Sequence, residues 1–362
     1  MKSIVLTGGG TSGHVTPNIA LLPGLKENGW SISYIGSRNG IEKQLIENEG
    51  ITYYSINTGK LRRYFDLKNL TDVFRVADGF RQALMLLGKL KPDIVFSKGG
   101  FVSCPAVWAA WFKRIPVVIH ESDMTPGLTN KLSMPFSTKI CYTFPESKRY
   151  LPEEKAVFTG LPIRGSLLAG EKSQGMKLCS FKSTKPVILI IGGSLGSEII
   201  NKAVRGALET LLKTFQVCHL CGKGNVKPEY SGLAGYCQFE YVNKELQHLF
   251  AAADIIVSRA GATALFELLA LKKPAVLIPL SKAASRGDQI LNAESFGKQG
   301  FSKVLQEEML DETSLIRMIM EIHEGRDTYI KSMKASNVGN GTQKILDLLE
   351  GTITAKQAEN QA

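Results

Sequence analysis

Short runs of β-branched and aliphatic residues alternate along this chain with longer stretches of helical periodicity. Residues 4–6, 32–35, 94–96, 117–119 and 140–142 predict buried strands in the first half. Residues 187–191, 215–220, 255–257 and 275–278 do so in the second. Continuously apolar strands separated by helices indicate parallel sheets covered on both faces. The pattern restarts near residue 187. There Val187-Ile188-Leu189-Ile190-Ile191-Gly192-Gly193-Ser194 repeats the opening arrangement of a strand running into Gly8-Gly9-Gly10. A restart implies two similar α/β domains rather than one long sheet. Pro162, Gly165, Gly170, Gly175 and Pro186 mark 162–186 as a hinge, and the polar residues 352–362 are expected to fray.

The chain has 362 residues, 44% of them hydrophobic, which suffices for two domains of roughly 150 residues each. No apolar run reaches the roughly 18 residues of a membrane span. The N-terminus reads as the first strand, without a signal-peptide core. The net charge of +11 is uneven: residues 1–163 carry 20 Lys/Arg against 13 Asp/Glu, and 164–362 carry 24 against 20. A basic first half suits an anionic partner, whether phosphates, nucleic acid or an acidic membrane face. Among six cysteines, Cys218 and Cys221 form one C-x-x-C with no second pair to complete a four-ligand metal site. Reduced core thiols are the expectation, and no metal site is assigned.

Three loops follow strands in the first half. Thr7-Gly8-Gly9-Gly10-Thr11-Ser12-Gly13-His14-Val15-Thr16-Pro17 places Pro17 in the first turn of a helix, where a missing N–H costs nothing. Its glycines allow close approach to a ligand, and a helix N-terminus attracts anions. No Gly-Lys-Ser/Thr follows, so it is not a P-loop. The second strand ends in Ile35-Gly36-Ser37-Arg38, without the acidic residue that nicotinamide-dinucleotide binding asks for. Ser97-Lys98-Gly99-Gly100-Phe101 and His120-Glu121-Ser122-Asp123 should meet the first loop at one sheet edge. His14, Glu121 and Asp123 are therefore the candidate catalytic groups.

The second half offers a matching set. Gly192-Gly193-Ser194-Leu195-Gly196-Ser197 suits phosphate. Ser258-Arg259-Ala260-Gly261-Ala262-Thr263-Ala264-Leu265-Phe266-Glu267 opens a helix on small residues, with one carboxylate placed for vicinal ribose hydroxyls. Gln289 follows Arg286-Gly287-Asp288 and offers both donor and acceptor to a sugar.

Together with Gly160-Leu161-Pro162-Ile163-Arg164, these segments resemble, in order and over most of the chain, the MurG family of N-acetylglucosaminyltransferases. The resemblance implies a GT-B fold: two Rossmann-like α/β domains facing across a cleft. Residues 1–163 would form an N-terminal acceptor and membrane-side domain, to which a helix at about 340–350 returns. Residues 164–339 would bind UDP-GlcNAc. The implied reaction moves GlcNAc, with inversion, from UDP-GlcNAc to the 4-hydroxyl of MurNAc in lipid I, forming lipid II for peptidoglycan. No cofactor is implied. Thr11, Ser12 and Gly13 would contact substrate, as would Asp123. Arg164 and the backbone near Val242 would frame uracil, and Ser194 would hold the diphosphate. Ala262, Thr263, Ala264, Leu265, Phe266 and Glu267 would line diphosphate and ribose, and Gln289 would meet the GlcNAc hydroxyls. Asp123 stands where relatives often carry Asn, and Phe101 where they often carry Tyr.

The expected location is the cytoplasmic face of the cell membrane, held peripherally on an anionic surface. Residues 60–91 supply Lys60, Arg62, Arg63, Lys68, Arg75, Arg81, Lys89 and Lys91 among apolar residues, a mixture suited to such an interface. Residues 60–65 are the expected contact; from residue 66 onward the apolar positions read as the inner face of a helix. Nucleic acid is not an expected partner, because no basic-aromatic platform or binding motif occurs. A diacylglycerol glycosyltransferase and a UDP-GlcNAc 2-epimerase are the alternatives of similar fold.

Overall fold

A computed structural model describes residues 2–59, 68–193, 196–336 and 338–361. The chain divides into two units, Met1–Arg164 with Asn340–Ala362, and Gly165–Gly339.

The first unit holds β1 (Ser3–Thr7), β2 (Ser31–Ser37), β3 (Thr52–Ile56), β4 (Ile94–Ser97), β5 (Val117–Glu121), β6 (Lys139–Tyr142) and β7 (Ala156–Phe158). All pair in parallel, in the order β3-β2-β1-β4-β5-β6-β7. Side chains alternate across a strand. Ile4 and Leu6 of β1 thus enter one core with Leu21, Leu22 and Leu25, while Val5 enters the other with Ile35, Val95 and Ile119. Burial on both faces explains the unbroken apolar runs.

The helix Thr342–Gln361 completes this unit. Asn340 bridges to Leu161, and its Oδ1 accepts the Ile163 N–H at 3.1 Å. Ile345, Leu346, Leu349 and Ile353 then pack into the first core. A Cβ on Gly24 would stand 2.4 Å from Leu346 Cδ1, so any larger residue there would displace the Leu346 side chain from its packing on the helix Thr16–Glu27. The expected fraying of 352–362 is corrected: helix continues to Gln361, and Thr352 and Ile353 are buried.

The second unit holds β8 (Val187–Ile191), β9 (Gln216–Leu220), β10 (Tyr236–Phe239), β11 (Ile255–Ser258), β12 (Ala275–Leu277) and β13 (Ser302–Val304). Again all are parallel, in the order β10-β9-β8-β11-β12-β13. The stretch expected to be a hinge instead forms the helices Gly165–Leu168 and Lys172–Leu178 of this unit. Its glycines serve contact, since a Cβ on Gly170 or Gly175 would meet the carbonyl oxygen of Gln247 or His248 at 2.0 and 2.1 Å. Four strands escaped the apolar pattern, β3, β7, β10 and β13, and each lies at a sheet edge.

In each sheet the chain winds outward on one side of the first strand and then on the other. The switch points fall between β1 and β4 and between β8 and β11. Loops leaving the carboxyl ends there diverge and leave room for a ligand.

Candidate active site

At the first switch point, the glycine loop after β1 is tied down from below by Glu42, which is fully buried. One carboxylate oxygen accepts the Ser37 N–H and hydroxyl; the other accepts the Gly10 N–H at 3.2 Å. Tyr34 donates its hydroxyl to the Gly8 carbonyl at 2.7 Å. Gly100, at φ +80°, comes so close that a Cβ would stand 2.1 Å from the Gly9 oxygen and 3.1 Å from His14 Nδ1. The loop after β4 therefore packs backbone against backbone on the loop after β1. Thr11, Ser12, Gly13 and His14 stand above it on a single 3-10 turn, exposed or half-buried. Thr11 Oγ1 and His14 Nδ1 are 3.1 Å apart and share a hydrogen bond.

The loop after β5 is organised by Glu121. Its carboxylate is buried and accepts from the Asp123 N–H (2.9 Å), the Gly127 N–H (3.0 Å) and Asn130 Nδ2 (2.8 Å). Burial, and then the charge of Asp123, push this carboxyl above the usual range. Sequence placed Glu121 and Asp123 together as candidate bases. The structure puts Asp123 half-buried at the surface of the loop and Glu121 beneath it with both oxygens engaged. Lys98 is buried beside them and donates to Ser122 Oγ. Burial draws it down to about 8, against the opposing pull of Glu121 and Asp123. His120 is buried as well and donates Nε2–H to the Gly160 carbonyl at 2.9 Å. Burial, then the Lys98 charge, hold it well below the usual histidine range, so its ring is neutral.

The second switch point is built from helix ends, amides and ion-paired side chains. Ser197 caps the helix Glu198–Thr214 and accepts from Arg259 Nη2 at 2.7 Å. Arg259 also pairs with Glu307 and donates to the Ile278 carbonyl, so this cation is consumed within the loop scaffold. The helix Ala262–Leu271 starts at Gly261 without a side-chain cap, and the space above Gly261 is open. Ala262, Thr263 and Ala264 form its first turn; Glu267 lies one turn on and is largely buried.

Two expectations change here. Leu265 and Phe266 face the core, Phe266 stacking edge-on against Phe296 at 5.3 Å, so neither presents a side chain to a ligand. Gln289 does not offer both ends. Its Oε1 accepts from the N–H groups of Ala260 (3.3 Å) and Leu280 (3.1 Å), which leaves the NH₂ group for a ligand. Asn292, fully buried, holds the Ala260 carbonyl from the same helix. Val242 is buried just past β10, and Arg164, half-buried, ends the first unit. Ser194 lies outside the described residues. Glu42 and Asn292 were missed because their work is done on backbone atoms of loops distant in sequence. An acidic residue in the first turn of a helix such as Ile41–Glu47 is a common helix start and carries no local sign of that contact.

Among the described residues no helix is long and apolar enough to cross a membrane. The helix Lys68–Leu90 buries Ala83 and Leu87 but leaves Phe74 70% and Met85 57% exposed, so its apolar positions are not all inward as expected. Trp111 and Phe112, at the end of the helix Cys104–Phe112, are exposed too. They join Phe80, Trp108 and Phe136 around an apolar cavity of about 520 Å³. The expected contact at 60–65, including Arg62, Arg63, Tyr64 and Phe65, lies outside the described residues.

Residues 4–142 match the glycosyltransferase family 28 N-terminal domain, and residues 187–349 match its C-terminal domain. A UDP-N-acetylglucosamine--N-acetylmuramyl-(pentapeptide) pyrophosphoryl-undecaprenol N-acetylglucosamine transferase from Lachnoclostridium phytofermentans is 57% identical over 350 residues, covering 97% of this chain and 99% of the relative. The protein of that name from Clostridium tetani is 54% identical over 355 residues, covering 98% and 99%. The crystal structure of Acinetobacter baumannii MurG superposes with a TM-score of 0.76 at 24% identity, covering 97% of this chain and all of the other. A UDP-GlcNAc 2-epimerase from Neisseria meningitidis shares the fold, with a TM-score of 0.67 at 17% identity, covering 96% and 99%. The chain belongs to glycosyltransferase family 28 and, within it, to the MurG family of N-acetylglucosaminyltransferases.

Proposed function

We infer that this enzyme transfers GlcNAc from UDP-GlcNAc to the 4-hydroxyl of the MurNAc sugar of lipid I, inverting the anomeric centre and forming lipid II. The observation that carries this reading is identity of 54–57% along nearly the whole of relatives that bear that activity in their names. We assign the acceptor to the first unit and the donor to the second.

Inversion needs a base for the acceptor proton and stabilisation of the charge that builds on departing UDP. His14 is the base. In the tautomer that donates Nδ1–H to Thr11 Oγ1, 3.1 Å away, Nε2 carries the lone pair that takes the acceptor proton. Glu121 is already occupied by three donors and serves to shape the loop. Thr11, Ser12, Gly13 and Asp123 contact the acceptor. On the donor side, the uncapped helix start at Ala262 and the start of the helix Glu198–Thr214 offer positive helix ends to the diphosphate, a role to which Ser194 is also assigned. Glu267 accepts from ribose, Gln289 donates its NH₂ to a GlcNAc hydroxyl, and the backbone at Val242 frames uracil.

The assay uses radiolabelled UDP-GlcNAc with a lipid I analogue. A labelled lipid product and stoichiometric UDP are expected. Conversion of UDP-GlcNAc without acceptor would overturn the reading in favour of an epimerase.

The same reading places the enzyme peripherally on the cytoplasmic face of the membrane. Phe74, Trp111 and Phe112 are exposed among Arg75, Arg81, Lys113 and Arg114. Aromatic rings beside cations suit an anionic interface, where each cation contributes about 1 kcal/mol. Cosedimentation with anionic vesicles should fall with salt and in Trp111→Ser/Phe112→Ser, while turnover of a water-soluble acceptor analogue persists. Unchanged cosedimentation of the double variant would move the contact elsewhere.

A further inference from the structure

The cysteines do not group as their spacing suggested. Cys218 and Cys221 stand three residues apart, and their sulfurs have different company. Cys221 Sγ lies 3.5 Å from Arg205 Nη2 and 3.9 Å from Gln238 Oε1. Cys218 instead sits opposite Cys237 in the parallel register of β9 and β10. Cys179 joins them from the end of the helix Lys172–Leu178. The three Sγ atoms lie within 4.8 Å of one another. Cys179 and Cys218 are buried and Cys237 is half-buried.

We propose that Cys179, Cys218 and Cys237 bind one thiophilic d¹⁰ cation of the zinc class, with a water completing the coordination on the Cys237 side. Three sulfurs at about 2.3 Å from a common centre stand roughly 3.8–4.0 Å apart, so the cluster needs to contract by at most about 1 Å. Soft thiolates select such cations over magnesium or calcium. Half-exposure of Cys237 supplies the entry path that two buried thiols lack. The three ligands come from an edge strand, its neighbour and a helix, so a bound ion would cross-link elements 19 and 39 residues from Cys218 in sequence. A disulfide would employ only two of the three thiols and needs an oxidant, so the third thiol favours the metal.

The test uses the full chain, stripped with a chelator under reducing conditions and titrated with Cd²⁺ and then Zn²⁺. One equivalent of Cd²⁺ should give a sulfur-to-metal charge-transfer band in the near ultraviolet. Zn²⁺ should displace it, protect three thiols from alkylation and raise the unfolding temperature. Loss of an outer partner of a metal ligand already costs about 10–100-fold in affinity, so Cys179→Ser and Cys237→Ser should each weaken binding at least about tenfold. Cys221→Ser should leave it intact. Cys237→Ser, at the most accessible position, keeps the test usable if Cys179→Ser misfolds by circular dichroism. Absence of the band, binding by the two ligand variants as tight as the parent's, or a Cys218–Cys237 disulfide in chain isolated without reductant would each overturn the proposal.

Discussion

The two switch points share a topology and differ in what fills them. Around the loop after β1 stand buried ionisable groups: Glu42 under the glycines, and Lys98, His120 and Glu121 beside them. Around the loop after β11 the backbone is held by neutral amides, Gln289 and Asn292, beside the ion pairs Arg259–Glu307 and Arg286–Asp288 and the largely buried Glu267. Burying a charge is costly unless it is paired and hydrogen-bonded. In the first sheet the buried ionisable groups lie directly against the glycine loop, whereas in the second the loop backbone is held by amides. The proposed function divides the chemistry accordingly, with the proton handled in the first unit and the charged leaving group met by helix ends and amide donors in the second.

The hardest test of that division is His14. Positioned proton transfer contributes about 10²–10⁴-fold, or roughly 3–5 kcal/mol. His14→Ala should lower kcat by that factor while calorimetric UDP affinity stays put. His14→Gln should not restore the rate, because an amide cannot take the proton. Near-normal turnover in His14→Gln would end the base assignment and turn attention to Asp123.

Glu121→Ala separates scaffold from catalyst within the same unit. It leaves the Asp123 and Gly127 N–H groups and Asn130 Nδ2 without their acceptor. A stranded buried donor costs about 1–3 kcal/mol where no water enters; Asn130 is buried while Asp123 and Gly127 are half-buried, so a loss of roughly 1–3 kcal/mol is expected in urea unfolding. A variant as stable as the parent but inactive would return Glu121 to the chemistry. In the second unit, Glu267→Ala should weaken UDP binding by about 1.5–3 kcal/mol, the worth of a hydrogen bond to a charged group. Acceptor KM should not move. Unchanged UDP affinity in the folded variant would remove the ribose contact.

Most of the fold could be read in the sequence, and the omissions share a cause. Every interior strand announced itself as an apolar run because both its faces are covered. The four that did not, Thr52–Ile56, Ala156–Phe158, Tyr236–Phe239 and Ser302–Val304, are the edges, where partial exposure admits Thr, Tyr, Gln and Lys. Ligand loops were legible because a glycine turn after a strand is a local signal. What organises those loops was not. Glu42 reaches Gly10 across 32 residues, and Gln289 reaches Ala260 across 29. Local pattern carries no trace of such contacts. Cys218 shows the same limit: its spacing to Cys221 pointed to a neighbour, while the fold brought Cys179 and Cys237 to it.

The smallest expected effect probes the buried charge itself. Burial holds Lys98 at about 8, while an unfolded lysine titrates near 10.4. Between these values the unfolded chain binds more protons than the folded one, so stability rises with pH. The cost of charging Lys98 is fully present below pH 8 and is relieved as pH climbs toward 10. Lys273, in the second unit, is also drawn down to about 8 by burial, so the parent protein alone is not diagnostic. Comparison with Lys98→Met isolates the first unit. From pH 8 to 10 the parent should gain on Lys98→Met by about 1–2 kcal/mol, below the limit of roughly 1.4 kcal/mol per pH unit. Lys273→Met should show a relative change of similar size, because burial draws its folded-state value down to the same level, about 8. Parallel urea-unfolding curves for parent and Lys98→Met across that window would mean that Lys98 keeps an ordinary affinity for its proton. The contrast between the two sites would then rest on how their loops are held, by the carboxylates Glu42 and Glu121 in the first and by the amides Gln289 and Asn292 in the second.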